Sequence, residues 1–176
     1  MSMSASTTTF TGKDQLSLPR NSFPQPTICY EGQVLDSLLA AIKREIATAR
    51  NSNMALPEKF WFKQQFSVGV NEITRVLERM PPVPANDRSS LSLKMHSTRL
   101  QVILVASDCH PRLLTKHLES LANSKNVPVV FVKDKKRGSL RLGELIKLKT
   151  AIAIGVKDKG NQFNQFIGTE ILHKFE

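Results

Sequence analysis

Apolar residues recur along the chain with two different spacings, and these spacings predict alternating helices and strands. Over residues 34–50 the apolar side chains are separated by three and four positions, which is typical of an amphipathic helix. Runs of consecutive apolar, β-branched residues predict strands that are buried on both faces. These runs cover residues 100–106, 127–132 and 151–156.

Further helices are predicted between and after these strands. Gly69 follows a short extended piece at residues 66–68 and opens a helix over residues 70–80, which the prolines after it end. Another helix begins near Pro111 and ends at Asn126, with Leu114, Leu118 and Leu121 on its inner face. A short helix is predicted over residues 140–146, and a C-terminal one over residues 163–175.

Residues 51–63 are interpreted as a connector that carries an aromatic cluster around Trp61. Trp61 could stack on a nucleobase. Such clusters more often pack against the domain that carries them.

Buried strands that alternate with helices predict an α/β fold with helices on both faces of the sheet. Residues 1–30 are rich in Ser, Thr, Pro and Gln and are predicted to form a disordered tail. Residues 31–176 are predicted to form one domain. Residues 81–98, which are rich in proline and serine, are interpreted as an exposed loop insertion.

The charge of the chain points to an anionic partner. The formal net charge is +10 over 176 residues, and nucleic acid is the most common polyanion that binds such domains. Cys29 and Cys109 fit neither a metal-binding spacing nor a disulfide framework. The sequence shows no membrane-length apolar run and no secretory signal, so no membrane association is expected.

The segment from Gly69 to Arg75 is the most informative part of the sequence. With Val70, Ile73 and Leu77 facing inward, Asn71, Glu72 and Arg75 would face outward together. In a structural interpretation, Asn71 and Glu72 simply stabilise the start of the helix. In a functional interpretation, Glu72 accepts hydrogen bonds from a guanine edge, Asn71 orients the backbone or a neighbouring nucleotide, and Arg75 neutralises a phosphate.

Two more segments are candidates for contact with RNA. The first is a basic stretch with closely spaced cations that could bind phosphates, and Gly138 and Gly143 there permit close backbone approach. The second is a loop in which Leu148, flanked by lysines, either stacks on an exposed base or belongs to the core. The candidate side chains of both segments are Lys133, Lys135, Lys136, Arg137, Lys147, Leu148 and Lys149.

No arrangement of residues predicts catalysis. Cys109 and His110 are adjacent and would not face the same way on a helix. No phosphate-binding glycine motif, metal-binding histidine spacing or pair of carboxylates is visible. The sequence therefore predicts no intrinsic enzymatic activity, no cofactor and no metal.

Several of these segments together resemble a known family. Gly69-Val70-Asn71-Glu72 followed by Arg75 resembles the Gly-x-Asn-Glu-x-x-Lys/Arg signature of the kink-turn RNA-binding proteins of ribosomes, small nucleolar particles and ribonuclease P. The segments at residues 100–111, 126–129 and 147–152 are similar to those that follow this signature in the family. The sequences of the helix that follows Gly69 and of the last loop most resemble those of the members found in ribonuclease P and ribonuclease MRP.

The resemblance implies a three-layer α-β-α sandwich with a four-stranded mixed sheet. It also implies that Asn71 and Glu72 recognise the sheared G·A pairs of a kink-turn, that Arg75 contacts the bent backbone, and that Leu148 covers a flipped-out base. Gly69 would allow the RNA backbone to approach closely. The chain departs from the family in its 81–98 insertion and in Thr150-Ala151, where many ribosomal members have a proline.

The sequence therefore predicts a non-catalytic RNA-binding subunit of ribonuclease P or MRP that supports processing of precursor tRNA 5′ ends and of rRNA. Its partners would be a structured RNA with a kink-turn or bulged G·A element and other protein subunits, in the nucleus or nucleolus. Two alternatives stay open: a ribosomal, nucleolar or selenocysteine-element kink-turn binder, and a protein–protein adaptor on the same fold.

Overall fold

Helices and strands alternate along most of the chain. The computed structural model describes residues 27–81, 98–108 and 112–175, without the side chains of Arg112 and Leu114. In chain order the elements are β1 (Ile28–Glu31), α1 (Gly32–Ser52), α2 (Glu58–Gln65), β2 (Phe66–Val68), α3 (Val70–Arg79), β3 (Leu100–Ala106), α4 (Arg112–Ser124), β4 (Val129–Lys133), α5 (Gly138–Leu145), β5 (Ala153–Lys157), α6 (Gln162–Glu170) and a short 3-10 helix (Leu172–Phe175).

The strands form one mixed sheet in the order β1-β4-β3-β5-β2. β1, β4 and β3 run parallel to one another, and β5 is antiparallel to both β3 and β2. The α/β class and the mixed sheet are confirmed. The expected number of four strands was wrong, because β1 adds a fifth strand beside β4.

The alternation of side chains in β3 separates two apolar cores, one on each face of the sheet. Val102 and Leu104 face a core that includes side chains of α1, α5 and α6. Ile103 and Val105 face a second core that includes Ile73 and Leu118, from α3 and α4. Since helices cover both faces, the molecule is a three-layer α-β-α sandwich, as expected.

The structure differs from the sequence-based boundaries near the N-terminus. Residues 28–30, assigned by sequence to the tail, lie in β1, where Tyr30 is buried and pairs with Val132. Residues 1–26 of that tail, and residues 82–97 of the insertion, lie outside the described part of the chain.

The predicted connector at residues 51–63 was wrong, because α2 begins within it at Glu58. The inner face of α2 consists of Trp61 and Gln65, which are both buried. Gln65 is polar, and its amide nitrogen donates to the Lys157 carbonyl at 3.0 Å. Because this buried amide lies one turn from Trp61, α2 lacks the apolar stripe from which a helix is predicted in a sequence.

The C-terminal stretch is two elements rather than the single predicted helix. α6 ends at Glu170 and the 3-10 helix covers the last described residues. The predicted inner face of α4 holds at Leu118, which is buried, and at Leu121, which is partly buried. Leu114 lies outside the described side chains.

One edge of the sheet gathers the loops that carry the candidate residues. Pairing across this edge joins Glu31 to Lys133, Ala106 to Val132, Val105 to Ala153, and Ile154 to Val68. The segments after β2, β3 and β4, and the one before β5, therefore emerge side by side. The segment after β2 and the segment before β5 are immediate neighbours, because β2 and β5 are paired.

Candidate functional site

Gly69 makes the turn from β2 into α3. Its φ is +90°, a value that strains any residue with a side chain. The Gly69 N–H donates to the Ala153 carbonyl at 2.9 Å, and the Gly69 carbonyl accepts from the Ile73 N–H at 3.1 Å. The glycine is thus required by the backbone conformation of this turn, which ties the start of α3 to the start of β5.

The outer face of α3 carries the polar residues of the signature. Ile73 and Leu77 are fully buried, whereas Asn71, Glu72 and Arg75 are exposed. Within the described part of the chain, the side chains of these three polar residues form no hydrogen bond and no ion pair. The helix also has no side-chain cap. The capping interpretation of Asn71 therefore does not apply, while Glu72 still complements the dipole of the first turn.

The loop between α5 and β5 is fixed by contacts with its preceding helix. The Leu148 N–H donates to the Gly143 carbonyl at 2.9 Å, and the Ala151 N–H donates to the Ser139 carbonyl at 2.9 Å. A Cβ atom added to Gly143 would lie 2.7 Å from the Thr150 Cα, so the loop requires a glycine there. The close backbone approach expected at Gly143 is therefore present, and it is made by the protein's own chain.

Leu148 lies at the tip of this loop and is 48% exposed. The structure thus does not place it in the core, which was the alternative for this residue. Lys147 before it adopts a left-handed backbone conformation with φ +57°. Lys149 after it is exposed as well. An apolar side chain held outward between two lysines on a fixed loop has the properties expected of a surface that contacts a planar ligand.

A groove joins α3 to this loop. It has a volume of about 870 Å³ and contains Glu72, Lys147 and Leu148 among its lining residues. Its floor is apolar and its rim is charged. The other lining residues are Glu58, Lys59, Phe62, Lys63, Phe66, Val68, Ile146 and Lys157. Three of the sequence-predicted residues are therefore brought together, with Asn71, Arg75 and Lys149 exposed on the same two segments.

α2 supplies one wall of the groove, and sequence reasoning missed it. Its Glu58 pairs with Lys147 at 2.5 Å, so the ion pair links α2 to the candidate loop. The hydrogen bond from Lys147 lowers the pKa of the Glu58 carboxyl below its usual value. The available sequence signal was Pro57 directly before an acidic residue, a common start for a helix.

Trp61 does not belong to the surface of this site. It is 4% exposed and packs edge-to-face against Phe62 and Phe66. The stacking interpretation for this residue is therefore wrong, because its faces are covered by the protein. Phe62, which is only partly buried, lines the groove instead, together with the more deeply buried Phe66.

The basic segment after β4 forms a separate patch at the same edge of the sheet. β4 lies three strands from β2, a separation of about 14 Å at ordinary strand spacing. Lys133 lies 3.7 Å from Glu31. Lys135 and Lys136 are exposed and have positive φ values of 38° and 70°. Exposed Arg137 precedes α5 at its N-cap position.

Gly138 anchors this patch to the loop after β3. Its N–H donates to Asp108 at 2.9 Å, and a Cβ added there would lie 2.9 Å from the Val132 carbonyl oxygen. The close approach that sequence analysis expected at Gly138 is thus present. This close approach is made between segments of the protein itself, and it does not connect the patch to the groove.

Other site chemistries find little support in the part of the chain that the structure covers. Among the described residues, no group of three His, Cys, Asp or Glu side chains could hold a metal ion. None of the described helices has the length and apolar character needed to cross a membrane. Cys109 and His110 lie outside the described residues.

The fold is similar to that of a solved structure. The chain resembles the structure of a Giardia lamblia 15.5kD RNA binding protein with a TM-score of 0.53. The match covers 83% of this chain and 91% of that one at 17% identity, which is a likeness of fold.

Part of the sequence matches a known family. Residues 92–165 match the Ribosomal protein L7Ae/L30e/S12e/Gadd45 family. The matched segment includes the loop with Leu148 but begins after the Asn71–Glu72 corner. The resemblance of the motifs to ribosomal and ribonuclease P proteins thus agrees with the comparisons.

Individual relatives are similar over about half of this chain. Ribonuclease P protein subunit p38 of Homo sapiens is 31% identical over 101 residues, covering 57% of this chain and 28% of that protein. The Bos taurus p38 is 29% identical over 103 residues. Large ribosomal subunit protein eL8 of Caenorhabditis elegans is 30% identical over 90 residues, or 26% of its length. The chain therefore matches less than a third of each of these relatives.

Proposed function

We propose that this protein is a non-catalytic RNA-binding subunit of a ribonuclease P or MRP particle. It recognises a kink-turn-like element of the RNA component. The observation that carries the proposal is the corner of Asn71, Glu72 and Arg75, which is exposed, makes no side-chain bond within the described protein, and lies beside a groove shared with Leu148. Side chains that the fold does not use are free to bind a ligand.

Each residue has a proposed role that its position permits. Glu72 accepts hydrogen bonds from a guanine of the sheared G·A pairs, and Asn71 orients the neighbouring backbone. Arg75 neutralises a phosphate at the bend. Leu148 covers a flipped-out base, while Lys147 and Lys149 bind phosphates on either side of it. Because Gly69 has no side chain, the RNA backbone can approach this turn closely.

The cations of the separate patch have a different role in the proposal. They provide phosphate neutralisation at a distance from the corner, so they add affinity without reading bases. This group consists of Lys133, Lys135, Lys136 and Arg137.

The choice of particle is supported by the similarity to p38 in three mammals. In such a particle the RNA component would hold the chemistry, and this protein would stabilise its bend. The role would be support for processing of precursor tRNA 5′ ends and of rRNA, together with other protein subunits, in the nucleus and nucleolus.

A second candidate is a kink-turn binder of another particle, such as a ribosomal or nucleolar protein. The similarity to eL8 favours it. Both candidates use the same corner, so they differ in the RNA that is bound and share its mode of recognition.

The RNA that co-purifies with the protein after crosslinking in its own cells tests the proposal. We expect the RNA component of ribonuclease P or MRP to be enriched with the wild type and lost with Glu72→Ala. Glu78→Ala, which removes an exposed carboxylate from the same helix, is the matched control and should retain the RNA. Enrichment of ribosomal or nucleolar guide RNA would favour the second candidate. Recovery of protein partners without RNA, unchanged by Glu72→Ala, would contradict both and favour an adaptor.

A further inference from the structure

The groove extends beyond the residues that the proposed recognition uses. From Glu72 and Leu148 it continues past Phe66 and Val68 to the wall formed by α2 and to Lys157 at the end of β5. Its volume of about 870 Å³ is near the upper end of the roughly 300–1,000 Å³ typical of pockets that enclose drug-sized ligands. One planar base at the Leu148 end would leave the α2 end open.

The open end is cationic. Lys59 and Lys63 lie one turn apart on α2, both are exposed, and neither forms an ion pair with another described residue. The nearby carboxylate of Glu58 is already paired with Lys147. Among the described residues, the positive charge of Lys59 and Lys63 is therefore not compensated by an ion pair.

Lys157 adds a fixed cation at the far end. Its carbonyl accepts from the amides of Gln65 at 3.0 Å and Asn164 at 2.8 Å, which holds its backbone in place. Its ammonium donates to the Lys63 carbonyl at 2.7 Å. Since an ammonium has three donors, two remain for a ligand. Burial and the charge of Lys159 lower the pKa of Lys157 below its usual value, and the charge of Glu72 only partly offsets this.

The floor between these cations is apolar and partly aromatic. Phe62 lines the groove, and its ring is held by edge contact with Trp61 at a centroid distance of 5.3 Å. Phe66 packs beside it at 6.0 Å. An aromatic surface bordered by unpaired cations is the arrangement by which proteins bind single-stranded nucleic acid, with bases on the rings and phosphates on the cations.

We propose that the α2 end of the groove binds the unpaired nucleotides that adjoin the kink, with Phe62 beneath a base and Lys59, Lys63 and Lys157 on the phosphates. This inference rests on the proposed function, because it places the kink at Glu72. An apolar segment of a protein partner is the competing occupant. The cations favour RNA, because the apolar side chains of a peptide would contact only the floor of the groove and would leave the cations without a partner.

Four RNAs test this inference. They combine an intact or a disrupted pair of G·A base pairs with a three-nucleotide or a shortened unpaired loop. Binding is measured for wild type, for Lys59→Ala/Lys63→Ala, and for Arg44→Ala/Lys116→Ala, which removes two exposed cations from α1 and α4. The Lys59/Lys63 substitutions lie on the surface of α2, and circular dichroism checks that the helical content is unchanged.

We expect the wild type to bind the long-loop RNA about tenfold more tightly than the short-loop RNA, and the Lys59/Lys63 variant to lose most of this difference. The control pair should keep it. Equal weakening of long- and short-loop RNA by the Lys59/Lys63 variant, or no weakening of either, would overturn the inference. The effect of disrupting the G·A pairs is read separately from the same set, so failure of the proposed function is distinguishable from failure of the extended groove.

Discussion

Two basic surfaces lie at the same edge of the sheet, and they use their charged side chains differently. Along α3 and the 147–149 loop, Asn71, Glu72 and Arg75 make no side-chain bonds within the described protein. In the patch after β4, Lys133 approaches Glu31, and Asp134 lies 3.4 Å from Arg141. On the first surface Lys147 pairs with Glu58, but the amide, the carboxylate and the cation of α3 have no partner among the described residues. On the second surface the cations themselves are partly neutralised by nearby carboxylates.

This difference separates two contributions to RNA binding. Groups that combine a carboxylate, an amide and a cation on a fixed turn can distinguish one base arrangement from another. Exposed lysines on a loop interact with any phosphate. We therefore expect substitutions in the first surface to change specificity and substitutions in the second to change affinity for all RNAs alike.

The largest effect is expected for Glu72→Ala. Loss of a base contact costs about 1–3 kcal/mol, so affinity for a kink-turn RNA should fall about 5- to 160-fold. Fluorescence anisotropy with labelled RNA measures this change. Glu78→Ala is the control and should change affinity by less than about twofold. If Glu72→Ala binds this RNA as tightly as wild type does, then the first surface does not provide specificity and the contrast between the two surfaces is wrong.

Gly143→Ala should come next, since it disturbs the loop without touching its exposed side chains. Its new Cβ would lie 2.7 Å from the Thr150 Cα and 2.8 Å from the Leu148 carbonyl oxygen. Overpacking of this kind lowers the free energy of unfolding by about 1–3 kcal/mol, which urea titration measures.

Gly168→Ala is the matched control for this substitution. Gly168 also lies in a helix, and the nearest atom to its added Cβ is the Gln101 Nε2 at 3.8 Å, an ordinary contact. The alanine there should be neutral or stabilising by up to about 1 kcal/mol. Equal stability of the two variants would show that the 147–150 loop is not held as described.

Leu148→Ala should weaken binding by up to about tenfold with no loss of stability, because the side chain is exposed and acts only on the ligand. Val34→Ala, which shortens another exposed apolar residue at the start of α1, provides the comparison. If the Leu148 variant unfolds at lower urea concentration than wild type, then the residue contributes to the core after all.

The smallest effect is expected in the patch after β4. Lys135→Asn/Lys136→Asn removes two charges, and asparagine tolerates the left-handed backbone of these positions. Affinity should fall a few-fold for all RNAs, and the slope of log affinity against log salt should become shallower by about 1.4–1.8. A loss restricted to RNA with intact G·A pairs would mean that this patch also reads structure.

The sequence predicted the buried parts of the fold better than its margins. β3 and α3 lie within one residue of their predicted bounds, because consecutive β-branched residues and a Gly-to-Pro interval leave few alternatives. β1 was missed because its alternation covers only four residues, of which Ile28 and Tyr30 face the core, and so short a pattern does not distinguish a strand from a tail. The start of the 31–176 domain thus falls a few residues earlier than the composition indicated.

The separate segments of the candidate site were predicted from the sequence, but the way in which the fold brings them together was not. Nothing in the spacing of Glu72 and Leu148 shows that they line one groove, since the neighbouring positions of β2 and β5 depend on sheet order. The contribution of α2 was hidden for a related reason. Its buried Gln65 is explained by the Lys157 carbonyl and the Asn161 amide, which lie 92 and 96 positions away.

The most direct test of the central claim is the ratio of two dissociation constants for the wild-type protein at physiological ionic strength. One is measured with a kink-turn RNA and the other with the same RNA after its G·A pairs are disrupted. Specific recognition by the Glu72 corner predicts a preference of at least about tenfold for the intact RNA. Equal, salt-sensitive binding to both RNAs would contradict it and reduce the corner to part of a general basic surface.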